Sequence, residues 1–313
     1  MELFGILTLA LIWGSSFLFI KIGLNGGLSP AMVAIGRLAV GAALLWGVVF
    51  MRRLIAPASF KYPIPRGRAI WTKIALIGLV NNAIPFVLIA WGEQHISSGL
   101  ASVLNASMPL FTVLFAHVLT HDDRLTWIKA LGVLIGFAGV GVVIGPGAQG
   151  WSGELLGSIA IVVASAAYAI GTVYVRKVLV GVTDPIAAGA GQLLMAFVWL
   201  SPFILLNGAV VQLHSASSAA LLAVLALGLL GTGLAYLIYY LLIQRAKASQ
   251  MSLVTYLLPV TALIYGAIFL NEQVTVQAVF GFGLIVMGIV LVNRANHSAR
   301  QTAESTAPAR RAC

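Results

Sequence analysis

An all-α integral membrane fold of ten transmembrane helices is predicted by three observations: the composition, the length of the apolar runs and the placement of positive charge. Of 313 residues, 60% are hydrophobic and 8% charged, against roughly 45 to 50% and 25% in a soluble protein. A shell of 18 Lys and Arg with 8 Asp and Glu cannot cover a globule of this length in water. The same scarcity argues against nucleic acid as a partner, because the basic residues stand between apolar runs rather than in one stripe. Cys313 is the only cysteine, so neither an intramolecular disulfide nor a cysteine-based zinc site is available.

A helix crosses the hydrocarbon core with about 20 mainly apolar residues. By that measure the spans fall at 3–22, 30–51, 70–92, 98–120, 126–145, 154–175, 185–206, 218–242, 249–269 and 275–293. The first run has no basic n-region and continues to Ile20, which predicts a spanning helix rather than a cleaved signal peptide. The longest connection, Arg52 to Ala69, is too short for a separate domain. Function is therefore expected inside the bilayer.

Cytoplasmic loops retain Lys and Arg. With the N-terminus cytoplasmic, every one of the 18 basic residues falls inside except Lys21 and Arg37, which lie within helices 1 and 2. Both termini are expected in the cytoplasm, and the lack of a targeting peptide points to a bacterial inner membrane. The polar tail, 294–313, is predicted to be disordered, with its arginines serving as a topology signal or an anionic-lipid contact.

Laying residue 259 on residue 109 aligns the two halves. Gln94 meets Gln244, Ser102 meets Ser252, and Pro109 meets Pro259. With one gap Asp123-Arg124-Leu125-Thr126 meets Glu272-Gln273-Val274-Thr275, then Gly132 meets Gly281 and Gly139 meets Gly288. Trp13 through Lys21 can be laid on Tyr168 through Arg176. The chain reads as one five-helix repeat over 1–145 and a second over 146–293. Five is odd, so the copies enter the membrane from opposite sides, the architecture of many secondary transporters.

Several of these residues form a familiar combination: Trp13-Gly14-Ser15-Ser16-Phe17 with Lys21, Arg37, the Gly99 to Phe111 stretch with Pro109, Gly231-Thr232 with Tyr236, and Pro259 through Glu272 to Gly281. Together they resemble the drug/metabolite transporter superfamily, and within it the ten-helix EamA-type exporters, over about residues 3 to 293. The resemblance implies export of small metabolites. YddG-type aromatic amino acid exporters are one candidate within it, though no motif singles out their substrate. Asp123 departs from the Glu usual in the family.

Proline in a helix interior frees the carbonyl four residues earlier. Pro109 and Pro259 would free Asn105 and Thr255 at similar depth, and Pro85 would free Asn81 beside Asn82. Irregular backbone at that depth is tolerated where it is buried in protein or lines a watery cavity. Trp13, Tyr168, Tyr236 and Tyr240 could wall such a cavity, stacking on an apolar or cationic substrate. Trp71, Trp127 and Trp151, at span ends, read as an interfacial belt. The predicted substrate-binding set is Trp13, Asn81, Asn82, Asn105, Tyr168, Tyr236 and Thr255, with a small amphipathic zwitterion, above all a neutral or aromatic amino acid, as ligand.

Arg37 lies about 10 Å from the outer end of helix 2. Because a buried cation needs a partner, Glu93 is expected to pair with Lys21 or Arg37 as an external gate or a grip on a carboxylate. No Asp or Glu lies mid-span, where the smaller multidrug members of the superfamily carry a helix 1 Glu. Ser15 and Ser16 stand there instead. Facilitated diffusion or exchange, or coupling through Glu93, is expected. The Gly-rich stretch at Gly139 and Gly141 follows no strand, so ATP binding has no context. Neither a cofactor nor a metal site is expected, although His121-Asp122-Asp123 could ligate a metal and reads more simply as the cap before helix 5.

The competing readings are an exporter of another metabolite or drug class, a membrane-embedded enzyme, which would need a catalytic constellation not found at reachable depth, and a receptor without flux. A monomer is compatible with all of them. Substitution separates the two cations: Arg37→Ala should impair activity or folding more than Lys21→Ala, and wild-type expression and activity of both would remove a buried role for Arg37.

Overall fold

The computed structural model describes residues 2–60, 62–120, 125–145, 152–206, 213–243 and 248–306. The His121-Asp122-Asp123 turn, Trp151, Gln244 and the end of the tail lie outside these residues. Among the described residues ten helices are long and apolar enough to span a membrane: α1 (Glu2–Asn25), α2 (Pro30–Ile55), α3 (Arg68–Glu93), α4 (Ser98–Leu119), α5 (Trp127–Ile144), α6 (Gly153–Val178), α7 (Pro185–Ile204), α8 (Ser218–Leu242), α9 (Leu253–Leu270) and α10 (Val276–Ala295). The chain is a multi-pass, all-helical membrane protein. Ten crossings return it to the side on which it began; that side is called terminal here, and the opposite one far.

Local sequence sets the helix starts. Ser29, Ser97, Thr126, Ser152, Asp184 and Ser217 each accept the backbone N–H three residues on, satisfying a donor that the first helical turn leaves free. Pro30 and Pro185 follow their caps directly, where a missing N–H costs nothing. The cap of α5 is thus Thr126. At the other end, α5 stops on Gly145, whose φ of 67° suits a residue without a side chain.

The helix that contains α10 continues to Thr306. Residues 294–306 were expected in a disordered tail, but Ala295, Ala299, Gln301, Ala303 and Glu304 are good helix formers on an existing helix end, where no new nucleus is required.

Eight spans close a ring. α1 packs on α8, α8 on α2, α2 on α7, α7 on α3, α3 on α6, α6 on α4, α4 on α9, and α9 back on α1. The order alternates between the first five helices and the second five, and it maps onto itself when α1 is exchanged with α6, α2 with α7, α3 with α8 and α4 with α9. The remaining two, α5 and α10, pair with each other and lean on α4.

Small residues permit the close approaches, as expected where lipid supplies no hydrophobic drive between helices. A Cβ on Gly139 would meet the Gly281 carbonyl at 2.6 Å, while Gly132 faces the Gly288 carbonyl at 2.7 Å. As one chain ascends the other descends, so α5 and α10 are antiparallel. The same device recurs in the ring: a Cβ on Gly228 would lie 3.2 Å from the Arg37 carbonyl and one on Gly78 2.6 Å from the Gln192 carbonyl.

On the terminal side Arg52 holds Asp184 through both nitrogens of its fork, at 3.3 and 3.2 Å. Asp184 is the cap of α7 and Arg52 also lies over the Phe60 ring at 4.3 Å, so one pair ties α2 and its following loop to the start of α7. Packing through glycine makes a specific demand. Gly139→Leu should lower thermal stability in detergent by about 1 to 3 kcal/mol through overpacking, whereas Gly141→Leu, with nothing within 4 Å of its Cβ, should leave the melting temperature unchanged.

Candidate substrate site at the centre of the ring

Three of the ring helices depart from α geometry, and all three do so near mid-span. In α3 the segment Leu79–Ala83 is π-helical. Pro85 cannot donate to the Asn81 carbonyl and its ring would collide with it. Widening the turn relieves this, with the Ile84 N–H reaching back to the Leu79 carbonyl. In α8 the π segment is Leu227–Leu234, and here Gly228, Gly231 and Gly233 lower the cost of the wider turn while the Thr232 hydroxyl donates to the Leu227 carbonyl at 3.2 Å. Such turns re-aim side chains and recur at functional sites. α4 leaves α geometry after Asn105 in a tighter turn through Ala106 and Ser107, whose N–H groups reach back to Val103 and Leu104, and resumes at Met108.

The three prolines therefore do three different things, contrary to the common arrangement that their spacing suggests. Pro85 sits just past a π turn, Pro109 follows the tighter turn of α4, and α9 runs through Pro259 without interruption. Neighbouring helices decide the outcome, because the freed carbonyl must find a donor wherever one is offered. At this turn of α4, Ser165 of α6 presents its hydroxyl to Asn105, 3.2 Å from the amide oxygen and 3.5 Å from the carbonyl.

Arg37 is the centre of the arrangement. It is buried, and its Nε donates to the Thr232 hydroxyl at 2.7 Å while Nη2 lies 3.5 Å from the Gly231 carbonyl. Its guanidinium covers the Phe86 ring at 3.9 Å from the centroid, and Phe86 in turn meets Tyr168 edge-on at 6.3 Å. Thr232 is the fifteenth of the 25 residues of α8, so the side chain reaches toward mid-span rather than staying in the outer third. Its partners are neutral oxygens and an aromatic face; it forms no ion pair among the described residues.

Beside this cation stand the asparagines. The Tyr236 hydroxyl donates to the Asn82 amide oxygen at 3.0 Å. The Asn82 amide nitrogen and the Asn81 amide oxygen are buried without a hydrogen-bond partner, one a donor and the other an acceptor, in a structure where such groups are rare. Asn81 faces Gly171 of α6, one turn from Tyr168, and Ser165 is one turn to the other side. One face of α6 thus collects Asn105, Tyr168 and Asn81, and the Phe86 contact joins them to Arg37.

Not every expected residue belongs to this group. Trp13 packs on Tyr239 at 5.7 Å within a separate cluster of α1, α8 and α9, and Thr255 lies on α9, whose main neighbours are α1 and α4. Tyr236 and Tyr240 do meet, edge-on at 6.0 Å. The expected outer ion pair is replaced by another contact. Lys21 donates its ammonium to the main-chain carbonyls of Glu93 and Ile96, and no carboxylate of the described residues pairs with Lys21 or Arg37 within salt-bridge distance. The carbonyls at the end of α3 and in the turn that follows carry partial negative charge that favours a cation. Of the tryptophans at span ends, Trp71 stacks on Trp46 at 6.3 Å and Trp127 is 80% exposed.

Phe86, Thr232 and Ser165 were not singled out as site residues. Thr232 and Arg37 are 195 positions apart, and only the folded ring relates them. His117 accepts the Leu125 N–H at 3.2 Å, a capping role, and no group of three or more metal-ligating side chains occurs among the described residues. Thr232→Val keeps the shape of the side chain and deletes the acceptor of Arg37. It should destabilise the protein by about 1.5 to 3 kcal/mol, read as a lower melting temperature, and Thr232→Ser should restore it; equal melting of all three would remove the bond from the account.

The sequence profile of the EamA-like transporter family matches residues 1–145 and again 155–294. The chain is 30% identical over 295 residues to the "Uncharacterized inner membrane transporter YedA" of Escherichia coli, covering 93% of this chain and 90% of that protein. It is 28% identical over 308 residues to the "Probable terminal-alkyne amino-acid exporter" of Streptantibioticus cattleyicolor, covering 96% and 95%. One solved structure, described as "Crystal structure of protein", shares the fold with a TM-score of 0.64 at 19% identity, over 96% of this chain and 98% of that one. These relatives are transporters rather than enzymes by name, and the match extends across both halves of the ring. The chain belongs to the EamA-like transporter family.

Proposed function

We propose that this transporter exports small neutral amino acids, aromatic ones included, from the cytoplasm across a bacterial inner membrane. The observation that carries the reading is Arg37: a cation buried near mid-span, backed by an aromatic ring and held only by neutral oxygens. Arg presents five donors in a rigid fork suited to a carboxylate, and here at most two are engaged. A buried charge of this kind marks a substrate or ion pathway. Asn81 and Asn82 add an unused acceptor and donor, and Phe86, Tyr168 and Tyr236 add ring faces. The relative named as an amino-acid exporter supports the same ligand class.

Alternating access between two inverted halves is the proposed mechanism. The ring order that survives exchange of the halves and the antiparallel pairing of α5 with α10 support an inverted repeat, because two equivalent halves give two oppositely facing states of similar energy. The distribution of Lys and Arg supports cytoplasmic termini.

Flux in proteoliposomes of the purified chain tests the proposal, with a panel of aromatic, aliphatic and charged amino acids plus a sugar. Saturable movement of neutral amino acids is expected. Arg37→Gln should raise the half-saturating concentration about 10- to 100-fold, the loss of a charged hydrogen bond, and Tyr236→Phe should have a smaller effect. Transport of the sugar in preference, or amino acid flux indifferent to Arg37→Gln, would overturn the substrate assignment.

A further inference from the structure

One buried ionisable group takes no part in the site above. Glu93, the last residue of α3, is 0% exposed, and neither of its carboxyl oxygens has a hydrogen-bond partner. It sits two turns beyond Phe86, about 10 Å along the helix. Lys21 is close, yet its ammonium is committed to the carbonyls of Glu93 and Ile96.

The donors at the start of α4 are committed as well. Ser98, at the start of α4, gives its backbone N–H and its hydroxyl to Glu272, both at 2.8 Å, and Gly99 adds its N–H at 3.1 Å. On the α6 side, Gly92 packs against the Gly157 carbonyl and Ile161, and the titratable His95, two residues past Glu93, lies against Gly153 and Gly157 and edge-on to Trp91. The charges that act on Glu93 are Lys21 of α1, Arg37 of α2 and Glu272 in the turn between α9 and α10. An ionised carboxylate enclosed without a donor costs several kcal/mol, and a bound proton removes that charge.

We propose that Glu93 is a proton-binding site through which transport is coupled to a proton gradient. The sealed arrangement described here holds the proton on Glu93. When the far side opens, a proton from the water there binds the carboxylate as the substrate leaves; when the terminal side opens, the carboxyl O–H bond breaks, the proton passes to water on that side and the electron pair stays on the carboxylate, so that one proton enters for each molecule exported. Lys21, already on the carbonyl of the same residue, becomes its counterion. Full burial leaves no exposed face for a substrate ammonium, whereas a proton needs no cavity. Of the two expectations from the sequence, transport indifferent to a gradient or coupling through Glu93, the structure favours the second. Only the flux arm of the test below rests on the proposed function.

Infrared difference spectroscopy of the full chain in lipid reads the proton directly. A carboxylic-acid carbonyl band is expected at neutral pH in the wild type, absent in Glu93→Gln and unchanged in Glu154→Gln, which alters an exposed carboxylate. Gln keeps the shape of the protonated acid, so the variant should fold. A band that survives Glu93→Gln, or none in the wild type, overturns the site. In proteoliposomes with an imposed pH gradient, the wild type should accumulate a neutral amino acid about tenfold per pH unit at one proton per molecule, and Glu93→Gln should only equilibrate it. Equal accumulation by both overturns the coupling role. The expected band without flux of any amino acid supports the proton site and sinks the proposed substrate instead.

Discussion

Inside hydrocarbon a backbone N–H or C=O without a partner costs several kcal/mol, and this requirement governs the rest of the molecule. It makes every crossing helical. It also makes the three departures from α geometry conspicuous, because each must supply its own remedy. In α3 the Ile84 N–H reaches Leu79, in α8 the Thr232 hydroxyl serves Leu227, and in α4 the Asn105 carbonyl lies 3.5 Å from the Ser165 hydroxyl of α6, which also reaches its own Ile161 carbonyl at 3.0 Å. All three remedies fall within the group that surrounds Arg37. The candidate site occupies the part of the ring where the helices leave regular α hydrogen bonding.

Scarcity of charge gives each membrane-depth ion a distinct role. Arg52 and Asp184 satisfy one another near the terminal side, in bidentate geometry that also caps a helix. Arg37 is stabilised by a hydroxyl, a carbonyl and a ring, which retain it in the interior without neutralising it. Glu272 is neutralised by the N-terminus of α4, where backbone N–H groups favour an anion. Glu93 has none of these supports. The contrast between the two glutamates, a few residues apart in space from the same helix start, separates a structural carboxylate from one available for another purpose.

The interplay of glycine and ring order explains how so apolar a chain reaches a specific arrangement. Lipid tails are as apolar as Leu, so side-chain hydrophobicity cannot select neighbours. Selection comes from backbone proximity. Gly132 and Gly139 fit Gly288 and Gly281, and Gly78 and Gly228 fit the carbonyls of Gln192 and Arg37. The latter contact places α8 against α2 at the level at which Thr232 meets the guanidinium.

Much of the fold was legible because its signals are local. Apolar length gave ten spans, a capping Ser, Thr or Asp marked six starts, and Pro and Gly marked turns. Part of the site was legible too: Arg37, Asn82, Tyr168 and Tyr236 are rare polar or aromatic types in apolar helices, and the structure brings them together. Phe86 and Ser165 were not, since a Phe or Ser in a membrane helix has many ordinary uses, and the contact of Trp71 with Trp46 was not, because position near a span end says nothing of the face a ring stacks on. The three prolines carry the lesson furthest. One residue type with one backbone effect produced a π turn, a tight turn and an unbroken helix, according to what the neighbouring helix offered. By itself the sequence determined that the chain spans a membrane ten times, roughly where the spans lie and which polar residues enter the bilayer, since these follow from transfer energy along the chain. Only the tertiary structure decided which of those residues meet, that Arg37 lies on Thr232 and Phe86 while Glu93 is left unpaired, because such contacts join residues far apart in the chain, in a solvent that does not choose among apolar faces.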